Sequence, residues 1–143
     1  MIYYTKNASQ TAALARRMSR ALTGGELILL QGELGAGKTT FARALARALG
    51  VKEKITSPTF VLMRRHKTQN VKCKIQNLIH CDAYRIADAK ALKEIGLMDW
   101  IGRPDTIVLV EWGEKIRPLL KGRDYFTIKF SHGKSANERR LVI

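Results

Sequence analysis

The sequence has 143 residues, enough for one domain with a hydrophobic core but short for two domains of ordinary size. Hydrophobic residues make up 45% and charged residues 27%, which is typical of globular proteins and excludes a disordered or collagen-like chain. The 26 Lys and Arg residues against 12 Asp and Glu give a formal net charge of +14, which favours an anionic partner. We predict a single domain over residues 1–143.

Cysteine content and the shortness of the apolar segments predict a cytoplasmic protein. No apolar run reaches the roughly 18 residues of a membrane-spanning helix, and residues 1–6 lack the apolar stretch of a signal peptide. Cys73 and Cys81 are too few for a disulfide framework and have no zinc-ligand spacing, which favours two reduced thiols. We therefore expect no membrane partner.

Hydrophobic periodicity divides the chain into strands and helices. Asn7 or Ser9 is placed to cap the first helix, and Gly50 to end the second. The run from Leu27 to Leu30 is continuously apolar, as in a strand buried on both faces of a parallel sheet. The predicted elements, in chain order, are strand 2–5, helix 12–22, strand 26–31, helix 39–49, strands 60–63 and 78–80, helix 87–95, and strands 107–110, 125–130 and 141–143.

The pattern changes beyond Pro118, where polar and apolar residues alternate over 125–130 and a short apolar run closes the chain. Such segments are typical of antiparallel strands added to a parallel centre. The predicted fold is an α/β three-layer sandwich on a mixed, mainly parallel central sheet.

The segment from Gly32 to Thr39 matches the phosphate-binding P-loop pattern G-x-x-x-x-G-K-[ST] at every fixed position. A chance glycine-rich turn would not need flanking elements, whereas a P-loop requires a preceding strand and a following helix. Both are predicted here. The sequence therefore indicates a P-loop NTPase-like fold that binds the phosphates of ATP or GTP.

Each part of the loop has a physical role in phosphate binding. Gly35 and Gly37 let the backbone curl so that consecutive amides point at phosphate oxygens, and the helix adds the positive end of its dipole. We expect Lys38 to reach the β- and γ-phosphates, Thr39 to coordinate Mg²⁺, and Thr40 to contact the α-phosphate.

Two acidic residues follow buried strands at the positions where α/β sheets place their ligands. Glu111 follows the strand over 107–110, and Asp82 follows the apolar run over 78–81. Either acid could be a solvated carboxylate at a strand end. Because a P-loop needs an acid to hold or organise Mg²⁺, we interpret both as site residues.

Four motifs, taken in order, resemble those of the TsaE (YjeE) ATPases, bacterial proteins that take part in making the threonylcarbamoyl modification of adenosine in tRNA. The motifs are Leu34 to Phe41, Ser57 to Phe60, His80 to Arg85, and Val110 to Trp112. The resemblance extends from Asn7 to about Arg140. The P-loop alone is shared by many families, whereas the four motifs in this order are specific.

The resemblance implies roles for individual residues. Thr39 with Glu111 would ligate Mg²⁺, Asp82 with Lys38 would serve ATP hydrolysis, and Trp112 would be needed for function. The residues implied to contact ATP are Gly35, Ala36, Gly37, Lys38, Thr39 and Thr40 at the phosphates, with Asn7 and Thr11 near the nucleoside.

The resemblance also implies cofactors and partners. The chain would use ATP and Mg²⁺, act on TsaB- and TsaD-type proteins, and serve tRNA at least indirectly. Two other functions stay open: a small-molecule kinase, although no lid or acceptor-binding segment is left once the motifs are placed, and a basic RNA-binding module, although no motif with stacking aromatics is present.

Three further features have alternative interpretations. Pro58 stiffens the Ser57-Pro58-Thr59 turn, which is either an ordinary loop or a nucleotide-responsive switch. From their apolar surroundings, His80 and Trp112 are predicted to be packing residues. The basic run, defined as Arg64, Arg65, Lys67, Lys72 and Lys74, is either a solvated loop or a binding surface.

Overall fold

Seven strands form one mixed sheet in the computed structural model, which describes residues 1–56, 58, 61–69 and 74–143. The strands are β1 (Ile2–Thr5), β2 (Leu27–Gln31), β3 (Met63–Lys67), β4 (Asn77–Asp82), β5 (Thr106–Glu111), β6 (Phe126–His132) and β7 (Arg139–Val142). Their order across the sheet is β1-β7-β6-β2-β5-β4-β3. The central strands β6, β2, β5 and β4 are parallel, and the pairs β1/β7, β7/β6 and β4/β3 are antiparallel.

Helices cover both faces of this sheet. They are α1 (Ala8–Ser19), α2 (Lys38–Ala48) and α3 (Lys90–Glu94), with 3₁₀ helices over Leu97–Asp99 and Gly113–Leu119. The side chain of Asn7 accepts a hydrogen bond from the Gln10 backbone N–H at 2.9 Å, so Asn7 is the cap that starts α1. The helix predicted over 87–95 is shorter than expected.

Two hydrophobic clusters lie on opposite faces of the sheet. On one face α1 and α2 pack through Leu14 and Phe41 against Leu30 of β2. On the other face α3 and the 3₁₀ helices pack through Leu92 and Ile116. This arrangement confirms the predicted three-layer α/β sandwich.

Strand β2 lies at the centre of both clusters, and all five of its residues are buried. Ile28 and Leu30 face α1 and α2, whereas Leu27 and Leu29 face the other cluster. Because each fully buried leucine contributes about 1.5–3 kcal/mol, this strand anchors the loop that follows it. As predicted, the apolar run is continuous because β2 is buried on both faces of the sheet.

The strand predicted over 60–63 is wrong at Val61 and Leu62, and Phe60 lies outside the described residues. Strand β3 begins at Met63, where pairing with Cys81 starts, while Val61 and Leu62 lie in a turn. Leu62 has a φ of 62°, which is incompatible with a strand, so hydrophobicity misplaced this element. In β3 only His66 is buried, as befits an edge strand with one solvated face.

The C-terminal strands differ from the prediction in one respect. β6 and β7 are antiparallel to each other, as expected, but β6 pairs with β2 in parallel, with Ile128 opposite Leu30.

Ser57, Thr59, Lys72 and Cys73 lie outside the described residues. None of the helices in the described parts of the chain combines the length and apolar character that crossing a bilayer requires.

Candidate functional site

The loop between β2 and α2 depends on glycines at specific positions. Gly32 has a φ of 134°, and a Cβ there would lie 2.2 Å from the carbonyl oxygen of Phe130, so a side chain has no room. Gly37 has a φ of 103° and precedes α2 without a side-chain cap. The first backbone amides of α2 thus lack a side-chain acceptor, and such amides bind phosphate well.

Lys38 is the first residue of α2 and is only 5% exposed. Its Nζ donates to the carbonyl oxygens of Gly32 at 2.6 Å and Glu33 at 2.7 Å, and lies 4.1 Å from the centre of the Trp112 ring. Burial lowers the pKa of Lys38, and three carboxylates oppose that shift, those of Glu111, Glu114 and Asp82. With little water around it, this ammonium attracts an anion in the adjacent pocket more strongly than an exposed lysine would.

Thr39, the second residue of α2, contacts Glu111, the acid at the end of β5. Its Oγ1 donates to Oε2 of Glu111 at 2.8 Å, and Oε1 of Glu111 lies 2.8 Å from Nε2 of His80. Glu111 is 2% exposed and His80 is 1% exposed. The carboxylate is therefore held on both oxygens, one by a hydroxyl and one by an imidazole.

Asp82 ends β4 directly beside Glu111, because the two residues are register partners in the parallel pair β4/β5. Neighbouring residues at matched register point to the same face of a sheet. Oδ1 of Asp82 accepts a hydrogen bond from the Tyr84 backbone N–H at 2.9 Å, and the residue is 4% exposed. The two acids that the sequence places at strand ends thus lie on one face, at one edge of the sheet.

A pocket of about 360 Å³ brings these groups together. Its lining residues are Leu34, Gly35, Gly37, Lys38, Thr39, Thr40, Asp82, Tyr84, Glu111 and Trp112. Trp112 adopts a left-handed backbone with φ of 58°, and its ring packs against Tyr84 at 5.0 Å between centres. Such a conformation is strained for tryptophan, and the surrounding contacts hold it. Trp112, interpreted from sequence as packing, forms a pocket wall beside Lys38.

A second pocket of about 110 Å³ lies on the α1 side of the loop and includes Thr11, Thr40 and Arg139 in its lining. The Thr11 hydroxyl is buried against that of Thr5 at 2.8 Å, and the Asn7 side chain caps α1. These two candidate nucleoside contacts therefore have structural partners; Thr11 lines this pocket, whereas Asn7 does not. Ala36, the remaining loop residue, is fully buried and lines neither of these two pockets.

The residues around Glu111 fit a hard cation such as Mg²⁺. A hydroxyl and a carboxylate supply oxygen ligands, which Mg²⁺ prefers, and it usually takes one or two protein ligands and completes its shell with phosphate oxygens and water. Within the described ranges no group of three or more His, Cys, Asp or Glu side chains is arranged to hold a metal. A metal here would accordingly depend on a bound phosphate.

The family model for threonylcarbamoyl adenosine biosynthesis protein TsaE matches residues 5–141. The chain belongs to the TsaE family. A tRNA threonylcarbamoyladenosine biosynthesis protein TsaE from Streptomyces coelicolor is 40% identical over 131 residues, covering 90% of this chain and 85% of that protein. The TsaE of Aquifex aeolicus is 40% identical over 115 residues, covering 79% of this chain and 77% of that protein.

A solved structure supports the same assignment of the TsaE fold. The crystal structure of Bacillus subtilus YdiB superposes with a TM-score of 0.77 at 26% sequence identity, covering 99% of this chain and 82% of that chain. The family to which the chain belongs is named for its role in tRNA threonylcarbamoyladenosine biosynthesis. The resemblance drawn from the four motifs is confirmed.

Three contacts of this TsaE-family site were not anticipated. His80 contacts Glu111, Tyr84 stacks on Trp112, and the guanidinium of Arg139 donates to the Gly35 carbonyl at 3.2 Å. His80 and Tyr84 belong to a motif that the sequence did show. Nothing in the sequence indicated the contact of Arg139 with Gly35, because the two residues lie 104 positions apart along the chain.

Three members of the basic run, Arg64, Arg65 and Lys67, lie on strand β3, whereas Lys74 is exposed at a bend outside the strands. Arg64 and Lys67 are exposed on β3, at the edge of the sheet. Arg65 is also exposed, but its Nε donates to Oδ1 of Asn77 at 2.9 Å and its guanidinium lies 5.1 Å from the centre of the Trp100 ring. Charges on an edge strand discourage pairing with other strands, and the exposed side chains of Arg64 and Lys67 are suited to that role.

Proposed function

We propose that this chain binds ATP with Mg²⁺ in the larger pocket and hydrolyses it as a component of tRNA threonylcarbamoyladenosine biosynthesis, working with TsaB- and TsaD-type proteins. The observation that carries the proposal is the convergence of Lys38, the Thr39–Glu111 pair and Asp82 in one pocket at the carboxyl ends of parallel strands. Phosphate binding, metal binding and hydrolysis each need one of these groups.

The chain's own residues supply most of the phosphate site. The uncapped amides at the start of α2 and the Lys38 ammonium face the pocket that would receive the β- and γ-phosphates. The ammonium already has a fixed position, since two loop carbonyls hold it. Little reorganisation is then needed as charge develops on the transferred phosphoryl group, which is how preorganised sites lower a barrier.

Thr39 and Glu111 would hold the cation. Because the Thr39 hydroxyl donates its hydrogen bond to Glu111, the lone pairs of its oxygen stay available as a ligand. Bound Mg²⁺ would neutralise charge on the β- and γ-phosphates. Asp82 lies beside Glu111 and lines the pocket. Its carboxylate would accept a hydrogen bond from the attacking water and so orient it.

Phosphate release separates the proposal from its alternatives. The protein is incubated with ATP and Mg²⁺ alone, with small acceptors such as nucleosides, and with TsaB- and TsaD-type proteins plus tRNA. We expect slow release alone and a marked rise with the partners. Phosphate transfer to a small acceptor would support a kinase instead, and failure to bind nucleotide at all would refute the proposed pocket.

A variant that lacks the charges of Arg64 and Lys67 tests whether tRNA or a tRNA-loaded complex contacts β3. Arg64→Gln with Lys67→Gln leaves Arg65, which has structural contacts, in place. If β3 contacts phosphates, partner-stimulated hydrolysis falls and its salt dependence flattens, because fewer counterions are released on binding. Unchanged stimulation and salt dependence would mean that β3 is only a charged sheet edge.

A further inference from the structure

His80 is buried in the middle of the sheet and yet directs a polar atom at the candidate metal site. Its Nε2 lies 2.8 Å from Oε1 of Glu111, and neither residue exposes more than 2% of its surface. Leu78, two residues before His80 on β4, and Leu109, its register partner on β5, are apolar, whereas Asp82 and Glu111 lie on the same face toward the strand ends. An apolar residue would fill such a position equally well if packing were its only role.

Strand register brings the histidine to the acid. Asp82 is the register partner of Glu111, and His80 lies two residues earlier on β4, on the same face of the sheet. Glu111 therefore has one acid beside it and one imidazole diagonally behind it. His80 is on the interior side of Glu111, away from the strand ends where the pocket opens.

The two hydrogen bonds on Glu111 fix the plane of its carboxylate. Thr39 donates to Oε2, and an ionised carboxylate can only accept, so Nε2 of His80 must carry the proton that completes the second bond. Without that donor, Oε1 would be buried unpaired, or the carboxylate would rotate and release Thr39. The first change removes one of the two hydrogen bonds that fix the carboxylate, and the second moves the oxygens that a cation would use.

We infer that His80 is a positioning residue that holds Glu111 in the orientation needed to organise Mg²⁺ with Thr39. The inference rests on the proposed function of the pocket, because it assigns His80 a purpose at that site. It goes beyond the packing role that the sequence indicates. Partners that orient metal ligands typically change metal affinity by about 10- to 100-fold when they are replaced.

The chain offers a matched control in His66. This histidine is also buried, at 4% exposure, and its ring centre lies 6.5 Å from that of His80, but its Nδ1 contacts Glu53 at 2.5 Å. Replacing His66 disturbs the same region of the sheet without removing the donor to Glu111. A general loosening of β3 and β4 would affect both variants alike.

The experiment measures how much Mg²⁺ strengthens binding of a fluorescent, non-hydrolysable ATP analogue. His80→Leu should lose about 10-fold or more of that gain, while affinity without Mg²⁺ stays near its original value. His80→Gln, which retains an N–H donor, should recover most of the gain, and His66→Gln should keep it. Equal losses in the His80→Leu and His66→Gln variants, or full retention of the gain in His80→Leu, would overturn the inference.

A second measurement does not depend on any variant folding. Nitrogen NMR of the imidazole in the unmodified, metal-free protein should show a proton on Nε2 of His80. An unprotonated Nε2 would overturn the positioning role. If the unmodified protein shows no gain from Mg²⁺ at all, the proposed function fails instead, so the two failures are distinguishable.

Discussion

Replacing Lys38 tests the central electrostatic feature of the site. Lys38→Met keeps a long apolar stem beside Trp112 and removes the ammonium that lies 4.1 Å from its ring. One charge-assisted hydrogen bond to a phosphate contributes about 1.5–3 kcal/mol. We therefore expect ATP affinity to fall by roughly 10- to 150-fold, and hydrolysis to be lost.

The effect on folding should be much smaller than the effect on binding. Lys38→Met loses two hydrogen bonds to the carbonyls of Gly32 and Glu33 but also removes a cation that is costly to bury. These terms oppose each other, so we expect the free energy of unfolding to change by about 1 kcal/mol or less. That corresponds to a melting shift of about 3 °C for a chain of this size.

The assay is titration with fluorescent ATP, ADP and AMP analogues at constant ionic strength. Because Lys38 lies where the β- and γ-phosphates would bind, affinity for ATP should fall and affinity for AMP should not. Lys129→Met, which removes an exposed lysine of β6, controls for the loss of one positive charge. Equal losses for ATP and AMP, or ATP affinity within about twofold of the unmodified protein, would refute the assignment of Lys38 to the distal phosphates.

Further predictions concern the acids, one glycine and one thiol. Glu111→Gln should reduce Mg²⁺-dependent nucleotide affinity, whereas Asp82→Asn should reduce turnover by about 10²-fold or more with affinity largely kept; identical behaviour in binding and turnover assays would contradict this division. Gly113→Ala should lower the free energy of unfolding in urea by about 1–3 kcal/mol, because the new Cβ would lie 2.5 Å from Cβ of Leu29; unchanged stability would show that the backbone adjusts. Burial raises the pKa of the Cys81 thiol from 9.0 to about 12, so iodoacetamide at pH 8 should label it only after unfolding, as seen by peptide mass spectrometry. Because the folded state binds the Cys81 proton up to a higher pH than the unfolded state does, the contribution of this thiol to the free energy of unfolding is present below pH 9. That contribution declines as the pH rises further.

The local patterns of the sequence are enough to predict the centre of the molecule. The apolar run of β2, the glycine loop and the start of α2 are consecutive in the chain, so their local patterns identify them without knowledge of the rest of the fold. The same holds for Asp82 and Glu111, because each is the last residue of a buried strand and parallel strands end at one edge of a sheet. The four ordered motifs were enough to identify the TsaE family.

Hydrophobicity was a poor guide where tertiary pairing sets the limits of an element. Strand β3 exists because Met63 to Lys67 pair with β4, and this pairing tolerates exposed basic residues on an edge. The preceding apolar residues, Val61 and Leu62, instead form a turn. Similarly, β6 is parallel to β2 because of where the chain returns to the sheet, and alternation within 125–130 carries no information about a neighbour's direction.

The contacts between side chains within the site depend on the three-dimensional fold. Thr39 and Glu111 are 72 residues apart, His80 and Glu111 are 31 apart, and Gly35 and Arg139 are 104 apart. A single sequence records which residue types are present and their local spacing, but a hydrogen bond between distant residues depends on strand order and register. The sequence therefore identified Asp82, Glu111 and the loop as candidate site residues. The order and register of the strands bring them together in one pocket, with His80 behind the carboxylate of Glu111.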